Sequence, residues 1–423
     1  MNADETINEL AIDSLHKVFS KWLYLDEYYT IDAPLCAAIA NFMPGDPDIF
    51  GIVGASGSLK TEVIRALGTT ENEIVYPISS ITEHTLISGF DKSEETDVIP
   101  KLQGRLLTIK DLTTILSKDE KMRAQIFADF RDLTDGYMDK KFGNNVHKTY
   151  TDIHSSILFA STGMIEKYYA LYSNLGQRML FFRPHGNPEK SAEQAEKDAD
   201  NVDQMRKELH EAIMSFMIEA KKKETPGMSD DQRKNMRRFY SFLAIARTNI
   251  SHDYKGEIDE IPEPEYPTRI AKSINRLCKV HAAMYNHDQV MDDDLDFGLR
   301  VIYDNIPTRR LRVLQHMVGD ESKHTIHDLS KVTTFSYGAV RKILTDLVAL
   351  EIVITEKTDD YGYDNMSFFV ISDKYEKVLD ELIKKNTITK EQPEPESPQN
   401  EGSEYRNSTF KDFAGRESEE ASA

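Results

Sequence analysis

Apolar residues in the N-terminal part of the chain alternate between two spacings. Residues 6–43 carry them at helical spacing, which predicts two helices that end at the turn-forming segment PGDPD. Four short apolar runs follow, namely IFGIV, EIVYPI, RLLTI and SSILFAS, with helical segments such as LKTEVIRAL and KMRAQIFADFRDL between them. Strands that alternate with helices predict a mostly parallel α/β sheet covered by helices.

The pattern changes beyond residue 186, where the chain becomes charged and helical up to residue 306, with the acidic, proline-rich segment GEIDEIPEPEYP as a hinge. Residues 309–371 then have the pattern of three helices and a hairpin. The last stretch is rich in Glu, Ser, Pro, Asn and Gly and poor in apolar residues, which predicts disorder. The predicted regions are N-terminal helices (1–45), an α/β core (46–186), a helical region (187–306), a three-helix and hairpin domain (307–375) and a disordered acidic tail (386–423).

Composition narrows the functional classes. A formal net charge of −20 argues against a surface covered by nucleic acid, because phosphate contacts come from Lys and Arg, so any DNA contact has to be local. The two cysteines, Cys36 and Cys278, are far apart and indicate neither a disulfide framework nor a zinc site. The N-terminus lacks the pattern of a signal peptide, and no apolar run is long enough to span a membrane. We therefore expect a cytoplasmic protein with no membrane contact.

The segment GASGSLKT at residues 54–61 is nearly the phosphate loop G-x-x-x-x-G-K-[ST], and it lies between a predicted strand and a predicted helix. In such loops, backbone N–H groups and a helix N-terminus face the phosphates, the lysine adds charge, and the hydroxyl ligates Mg²⁺. Leu59 replaces the last glycine, and its branched side chain is expected to crowd the nucleotide. The predicted ATP-binding residues are Gly54, Ala55, Ser56, Gly57, Ser58, Leu59, Lys60 and Thr61, with Thr61 as a Mg²⁺ ligand. The alternative is a strand-to-helix turn with an incidental Lys-Thr pair.

Hydrolysis of ATP also needs an acidic pair at the end of a second strand. RLLTIKDLT is the candidate, and its apolar run places Lys110 at the position of the metal-binding acid and Asp111 at that of the water-activating acid. Asp111 therefore has to serve one role or the other, as a Mg²⁺ ligand or as a catalytic group. The alternative is that Asp111 only caps the following helix.

Together, these motifs resemble an AAA+ ATPase, and their order is most similar to minichromosome maintenance helicases and related mobile-element ATPases over roughly residues 30–375. The resemblance implies a P-loop sheet with a helical lid and a ring-like homo-oligomer. It also implies three catalytic residues: Thr162 as the sensor that orients the attacking water, Arg178 as an arginine that reaches into the neighbouring subunit, and Arg269 as a second arginine in the lid. Lys110, Leu59 and the lack of a large N-terminal oligonucleotide-binding region depart from the family. Each arginine has an alternative interpretation as a surface or salt-bridged residue.

A hairpin is predicted within GYMDKKFGNNVHKTYTDIH, because aromatic and β-branched residues flank a Gly-Asn-Asn turn. In the resembled family the equivalent hairpin grips single-stranded DNA in a central pore. Lys140, Lys141 and Lys148 would supply the charge that backbone tracking requires. The alternative is an ordinary solvated hairpin.

Residues from Arg309 to Ile371 have the pattern of a winged helix-turn-helix, whose third helix enters the major groove of duplex DNA. The candidate DNA contacts are Ser336, Tyr337, Arg341 and Lys342, at and near the start of that helix. The wing also carries Asp359, Asp360 and Asp364, which phosphate would repel. Winged helices also bind proteins, so both partners stay open.

Three functions fit these patterns. The first is an ATPase that moves on or remodels DNA in replication, with ATP and Mg²⁺ as cofactors. The second is a nucleotide-gated initiator, loader or transcriptional regulator with slow or no hydrolysis, which Leu59 and Lys110 favour. The third is an adaptor that uses the ATPase fold as a scaffold to recruit partners.

Overall fold

The computed structural model describes residues 11–82, 84–90, 93–168, 178–319, 323–357 and 367–386. Its helices are, in chain order, α1 (Ala11–Trp22), α2 (Tyr29–Ala40), α3 (Lys60–Leu67), α4 (Ile99–Leu102), α5 (Thr113–Leu116), α6 (Glu120–Thr134), α7 (Pro188–Lys197), α8 (Val202–Ala220), α9 (Asp230–Ala246), α10 (Thr268–Met284), α11 (Asp292–Asp304), α12 (Thr308–Met317), α13 (Ile326–Thr333), α14 (Tyr337–Ala349) and α15 (Asp373–Asn386). Its strands are β1 (Ile49–Val53), β2 (Val75–Ile78), β3 (Leu106–Ile109), β4 (Tyr137–Lys141), β5 (His147–Thr151), β6 (Ile157–Ser161), β7 (Met179–Phe182), β8 (Ser251–His252), β9 (Ile258–Glu260), β10 (Val353–Lys357) and β11 (Ser367–Ile371).

Five strands form a parallel sheet in the order β2-β3-β6-β1-β7. The predicted α/β core with a parallel sheet is therefore confirmed. β1 and β6 are buried along their whole length, as expected for strands covered on both faces. Alternate residues of β1 enter different cores: Phe50 and Ile52 join one apolar cluster, while Ile49 and Val53 join the other.

The larger cluster of buried apolar side chains is continuous from α1 to α15. It contains Phe19 of α1, Phe242 of α9, Leu314 of α12 and Leu382 of α15. The predicted boundaries at residues 186 and 306 therefore do not separate independent hydrophobic cores.

The two predicted hairpin regions both form. β4 and β5 pair antiparallel, and α12, α13 and α14 are followed by the antiparallel pair β10 and β11. Thr325 and Ser336 cap α13 and α14 through their side-chain oxygens, which explains where these two helices begin. The acidic wing residues Asp359, Asp360 and Asp364 lie outside the described residues.

The helix α15 was not among the predicted elements. It carries apolar residues at helical spacing, and Tyr375, Leu379 and Leu382 are buried. Its partners include Phe242 of α9, whose ring lies 5.6 Å from that of Tyr375, and Asp296 of α11, which pairs with Lys385. The chain therefore returns from the β10–β11 hairpin to the helical region. No helix in the described part of the chain is long and apolar enough to cross a membrane.

Candidate functional site

The glycine-rich loop lies at the carboxyl edge of the parallel sheet, directly after β1 and before α3. Its position is fixed by a bond from the Gly54 N–H to the Ser161 carbonyl, 3.1 Å long, at the end of β6. Open α/β sheets bind ligands outside the carboxyl ends of their strands. The loop therefore occupies the edge where a ligand of this fold is expected.

Within the loop, Gly57 has a φ of 82°, in the left-handed region that favours glycine. A Cβ atom at Gly54 would lie 2.9 Å from the Ser58 hydroxyl, which can rotate away, so Gly57 is the position in this loop where the backbone favours glycine. The Lys60 side chain folds back over the loop, and its ammonium donates to the Ala55 carbonyl and to the Ser58 hydroxyl. Burial lowers the pKa of Lys60, and the Asp111 carboxylate acts in the opposite direction.

Leu59 occupies the position of the last glycine of the phosphate-loop motif. Its φ of −52° and ψ of −8° are ordinary right-handed helical values, so this position needs no glycine. Its half-buried side chain packs against the larger apolar cluster. The branched side chain is therefore used in packing, and the departure from the motif stabilises the start of α3.

We expect Leu59→Gly to lower the free energy of unfolding by about 1–2 kcal/mol, because apolar contact with the core is lost. Its affinity for ATP should stay within about twofold of the parent, since the backbone there is already helical. Urea unfolding and equilibrium nucleotide titration measure the two effects. A large gain in ATP affinity would show instead that Leu59 obstructs the nucleotide.

Asp111 and Thr162 lie at the same edge as the loop. Asp111 Oδ1 accepts a 2.9 Å bond from the Thr113 N–H at the start of α5, which is the capping role foreseen as its alternative. Lys110 and Asp111 are both exposed. Thr162 follows Ser161, the residue paired with Val53, and its hydroxyl accepts from the Met164 N–H at 3.4 Å. The structure thus brings together the loop, Lys60, one carboxylate and a threonine hydroxyl, and no cluster of three metal-ligating side chains occurs among the described residues.

Arg178 and Arg269 lie at the opposite edge of the sheet. The Arg178 carbonyl accepts from the N–H of Ile49, the first residue of β1, whereas the loop follows the last residue of that strand. The ends of a five-residue strand are about 13 Å apart. Arg269, at the start of α10, lies beside Arg178, because both guanidiniums contact the Asp135 carboxylate. Neither arginine is placed to reach a nucleotide in its own loop.

A cavity of about 860 Å³ opens at this amino edge. Three further basic residues of α10, Lys272, Arg276 and Lys279, line it with Arg178 and Arg269. The α10 residues recur at spacings of three and four, so they share one helical face. The spacing is visible in the sequence, although the resemblance points only to Arg269 among these residues. Lys272 lies 3.4 Å from Asp46, and Arg276 pairs with Asp48, so these two carboxylates neutralise part of the positive charge of α10.

The hairpin lysines do not all present charge to solvent. Lys148 is 6% exposed and donates to Asp97 at 2.8 Å and to the Ser93 carbonyl at 2.6 Å. Lys140 pairs with Asp129 of α6 at 2.5 Å. Their charges are neutralised because these carboxylates face the hairpin from the loop before α4 and from α6. Burial removes Lys148 from the candidate DNA contacts, leaves Lys140 a poor one, and keeps only the exposed Lys141.

The candidate contacts of the helix-turn-helix lie at and near the start of α14 and are exposed: Ser336, Tyr337, Arg341 and Lys342. Ser336 also caps the helix, and Arg341 lies 3.6 Å from Glu257 of the β8–β9 turn. Two arginines of α12 that were not selected from the sequence, Arg309 and Arg312, have guanidiniums 5.4 and 5.2 Å from the ring centre of Phe335. Their position beside the start of α14 depends on tertiary packing and has no local signal in the sequence.

No protein-family model matches the sequence, and no curated protein is found that is similar to it.

Proposed function

We propose that the chain is an oligomeric P-loop ATPase of the AAA+ type that acts on DNA. The observation that carries the proposal is the division of the candidate residues between the two edges of one sheet. The glycine-rich loop, Lys60, Asp111 and Thr162 share the carboxyl edge, while Arg178 and Arg269 share the amino edge. Such a division suits a site completed by two copies of the chain.

At the carboxyl edge, the N–H groups of the loop and the start of α3 would face the phosphates of ATP. Lys60 would leave its bond to the Ala55 carbonyl and donate to a phosphate oxygen, and Thr61 would ligate Mg²⁺. Bound Mg²⁺ supplies neutralisation of the charge on the phosphates. Asp111 and Thr162 would hold the attacking water in position.

The amino edge would complete the site of a neighbouring copy. An arginine supplied in trans stabilises charge on the transferring phosphoryl group. Contact between the carboxyl edge of one copy and the amino edge of the next is heterologous, and such contacts close into a ring when the rotation between copies permits. Hydrolysis would therefore depend on assembly.

DNA contact is proposed at two places. The exposed face of α14, with Arg309 and Arg312 beside it, has the local positive charge that duplex phosphates require. On the β4–β5 hairpin, the exposed Lys141 is the remaining candidate for a single strand.

A second candidate function is a nucleotide-gated DNA-binding protein that turns ATP over slowly or not at all. The Asp111 bond to the Thr113 N–H favours it, because a carboxylate oxygen used as a helix cap is less available to a water or a metal. Lys110 at the neighbouring position adds a positive charge where a second acid would assist hydrolysis.

The deciding experiment measures ATP binding and hydrolysis by the full chain, with and without single-stranded DNA. We expect Lys60→Ala to weaken ATP binding at least about tenfold and to abolish turnover, because the charge beside the phosphates is lost. Glu71→Ala is a matched surface control at an exposed position in the loop after α3. Tight binding without turnover would decide for the slow regulator, and failure to bind any adenine nucleotide would leave the adaptor.

A further inference from the structure

The carboxylate of Asp135 lies where the two arginines of the amino-edge cavity meet. It pairs with Arg178 and lies 3.8 Å from the Arg269 guanidinium. A carboxylate and a phosphate offer guanidinium groups the same kind of acceptor oxygen in a similar planar approach. In the chain by itself, Asp135 therefore occupies the position that an incoming phosphate would take.

The surroundings of this contact suit a large anion. The cavity has a volume of about 860 Å³, and Lys272, Arg276 and Lys279 line it beyond the two arginines. The Arg178 side chain is only 10% exposed, whereas Asp135 is 43% exposed and can turn toward solvent. Glu265 also acts electrostatically on both arginines. The Arg178 guanidinium is thus more buried than the carboxylate that neutralises it, whereas Arg269, at 47%, is about as exposed as Asp135.

Asp135 is also connected to the β4–β5 hairpin. It directly follows α6 and precedes Gly136, whose carbonyl accepts from the Ile153 N–H at the base of the β4–β5 hairpin. The hairpin is tied to α6 by the Lys140–Asp129 pair and to the loop before α4 by the buried Lys148–Asp97 pair. These contacts therefore hold the hairpin, α6 and Asp135 together as one unit, the hairpin unit.

We propose that the amino-edge cavity is a polyphosphate-binding site, and that Asp135 is a built-in competitor which a phosphate displaces from Arg178 and Arg269. The proposal rests on the proposed function only for the source of the phosphate, which is either the nucleotide of a second copy or a free polyphosphate. Because Asp135 belongs to the hairpin unit, a ligand that moves the hairpin would change how firmly the two arginines are held.

The test uses inorganic tripolyphosphate as the probe and the full chain with Lys60→Ala, so that the glycine-rich loop contributes little to binding. Asp135→Asn in this background should bind tripolyphosphate about tenfold more tightly or better by calorimetry, because the competing charge is removed and the shape is kept. Asp46→Asn is the matched control: it removes one negative charge from the same cavity but contacts Lys272 instead of the two arginines. Its affinity should stay within about twofold of the background.

Equal affinities of the Asp135→Asn and Asp46→Asn proteins would overturn the proposal. So would tight binding by Asp135→Asn that survives the further change Arg178→Ala. Asp135→Glu supplies a second measurement if the asparagine variant folds poorly, because the retained charge should keep the affinity as low as in the background. A gain in affinity for this glutamate variant would also contradict the competitor role.

Two further measurements distinguish the two sources of phosphate, which are the nucleotide of a second copy and a free polyphosphate. If the phosphate comes from a second copy, Asp135→Asn with an intact loop should self-associate with a non-hydrolysable ATP analogue in sedimentation, and Lys60→Ala should prevent this. Saturation of the monomer by tripolyphosphate without such association would assign a free polyphosphate. If the chain hydrolyses ATP but Asp135→Asn does not raise the affinity for tripolyphosphate, the proposed function stands and this inference fails. If the chain does not hydrolyse ATP but Asp135→Asn raises that affinity, only the anion-binding site stands.

Discussion

Arg178→Ala is expected to lower ATP turnover by about a thousandfold or more, which is the range measured for arginines supplied in trans. Its affinity for ATP should be nearly unchanged, because Arg178 lies at the amino edge, away from the loop of its own chain. The critical measurement is a mixture of two inactive proteins, Arg178→Ala and Lys60→Ala. One keeps an intact loop and the other an intact arginine, so their shared contacts should recover up to about a quarter of the wild-type rate if subunits mix at random.

Arg131→Ala is the matched control for that mixture. Arg131 acts electrostatically on Arg178 and pairs at the surface with Asp132. Its removal therefore changes the local charge and leaves in place Arg178, the arginine proposed to act in trans. Its turnover should stay within a few-fold of the parent. Recovery by the mixed proteins could not occur if Arg178 acted within its own chain. An Arg178→Ala protein with full activity would remove the assignment altogether.

Arg300→Ala is expected to lower the free energy of unfolding by about 3–5 kcal/mol, because it leaves the buried Asp304 and the partly buried Glu27 without this cation. The Arg300 side chain is 4% exposed and donates to both oxygens of Glu27, to Asp304 and to the Arg183 carbonyl. Asp304 is almost fully buried, so water cannot replace the lost donor there. These bonds join the segment between α1 and α2, the end of β7 and α11. Urea unfolding, followed by circular dichroism, measures the loss.

Arg233→Ala is the matched control, since Arg233 pairs with Asp230 at 3.3 Å on the surface of α9. An exposed pair of this kind contributes at most about 1 kcal/mol. Similar losses for the two variants would show that the Arg300 pairs behave as exposed ones.

Much of the sheet was predictable from the sequence, because buried parallel strands are continuous apolar runs that turn formers interrupt. IFGIV and SSILFAS became β1 and β6 for this reason. The placement of Arg178 was also available in principle: a residue that precedes a parallel strand lies at the amino edge, away from a loop that follows another strand. The same rule brings Thr162 close to the loop.

Other features depend on partners distant in the chain. Lys148 looked like a solvated hairpin lysine because Asp97, which neutralises it, lies 51 positions earlier. The packing of Leu59 had no local signal either, because the core that it contacts includes helices far along the chain. The helix α15 was not predicted because charged residues separate its apolar ones, so that its apolar face is evident only at helical spacing.

The return of α15 to the helical region limits how the preceding segment can move. The segment with α12, α13, α14 and the β10–β11 hairpin leaves this region after α11 and rejoins it at α15, so two covalent connections hold it. Because α12 and α14 also share the larger apolar cluster with the helical region, any movement of that region would carry the α14 face with it. The DNA contact proposed on this face would then be coupled to the helical region without a flexible linker.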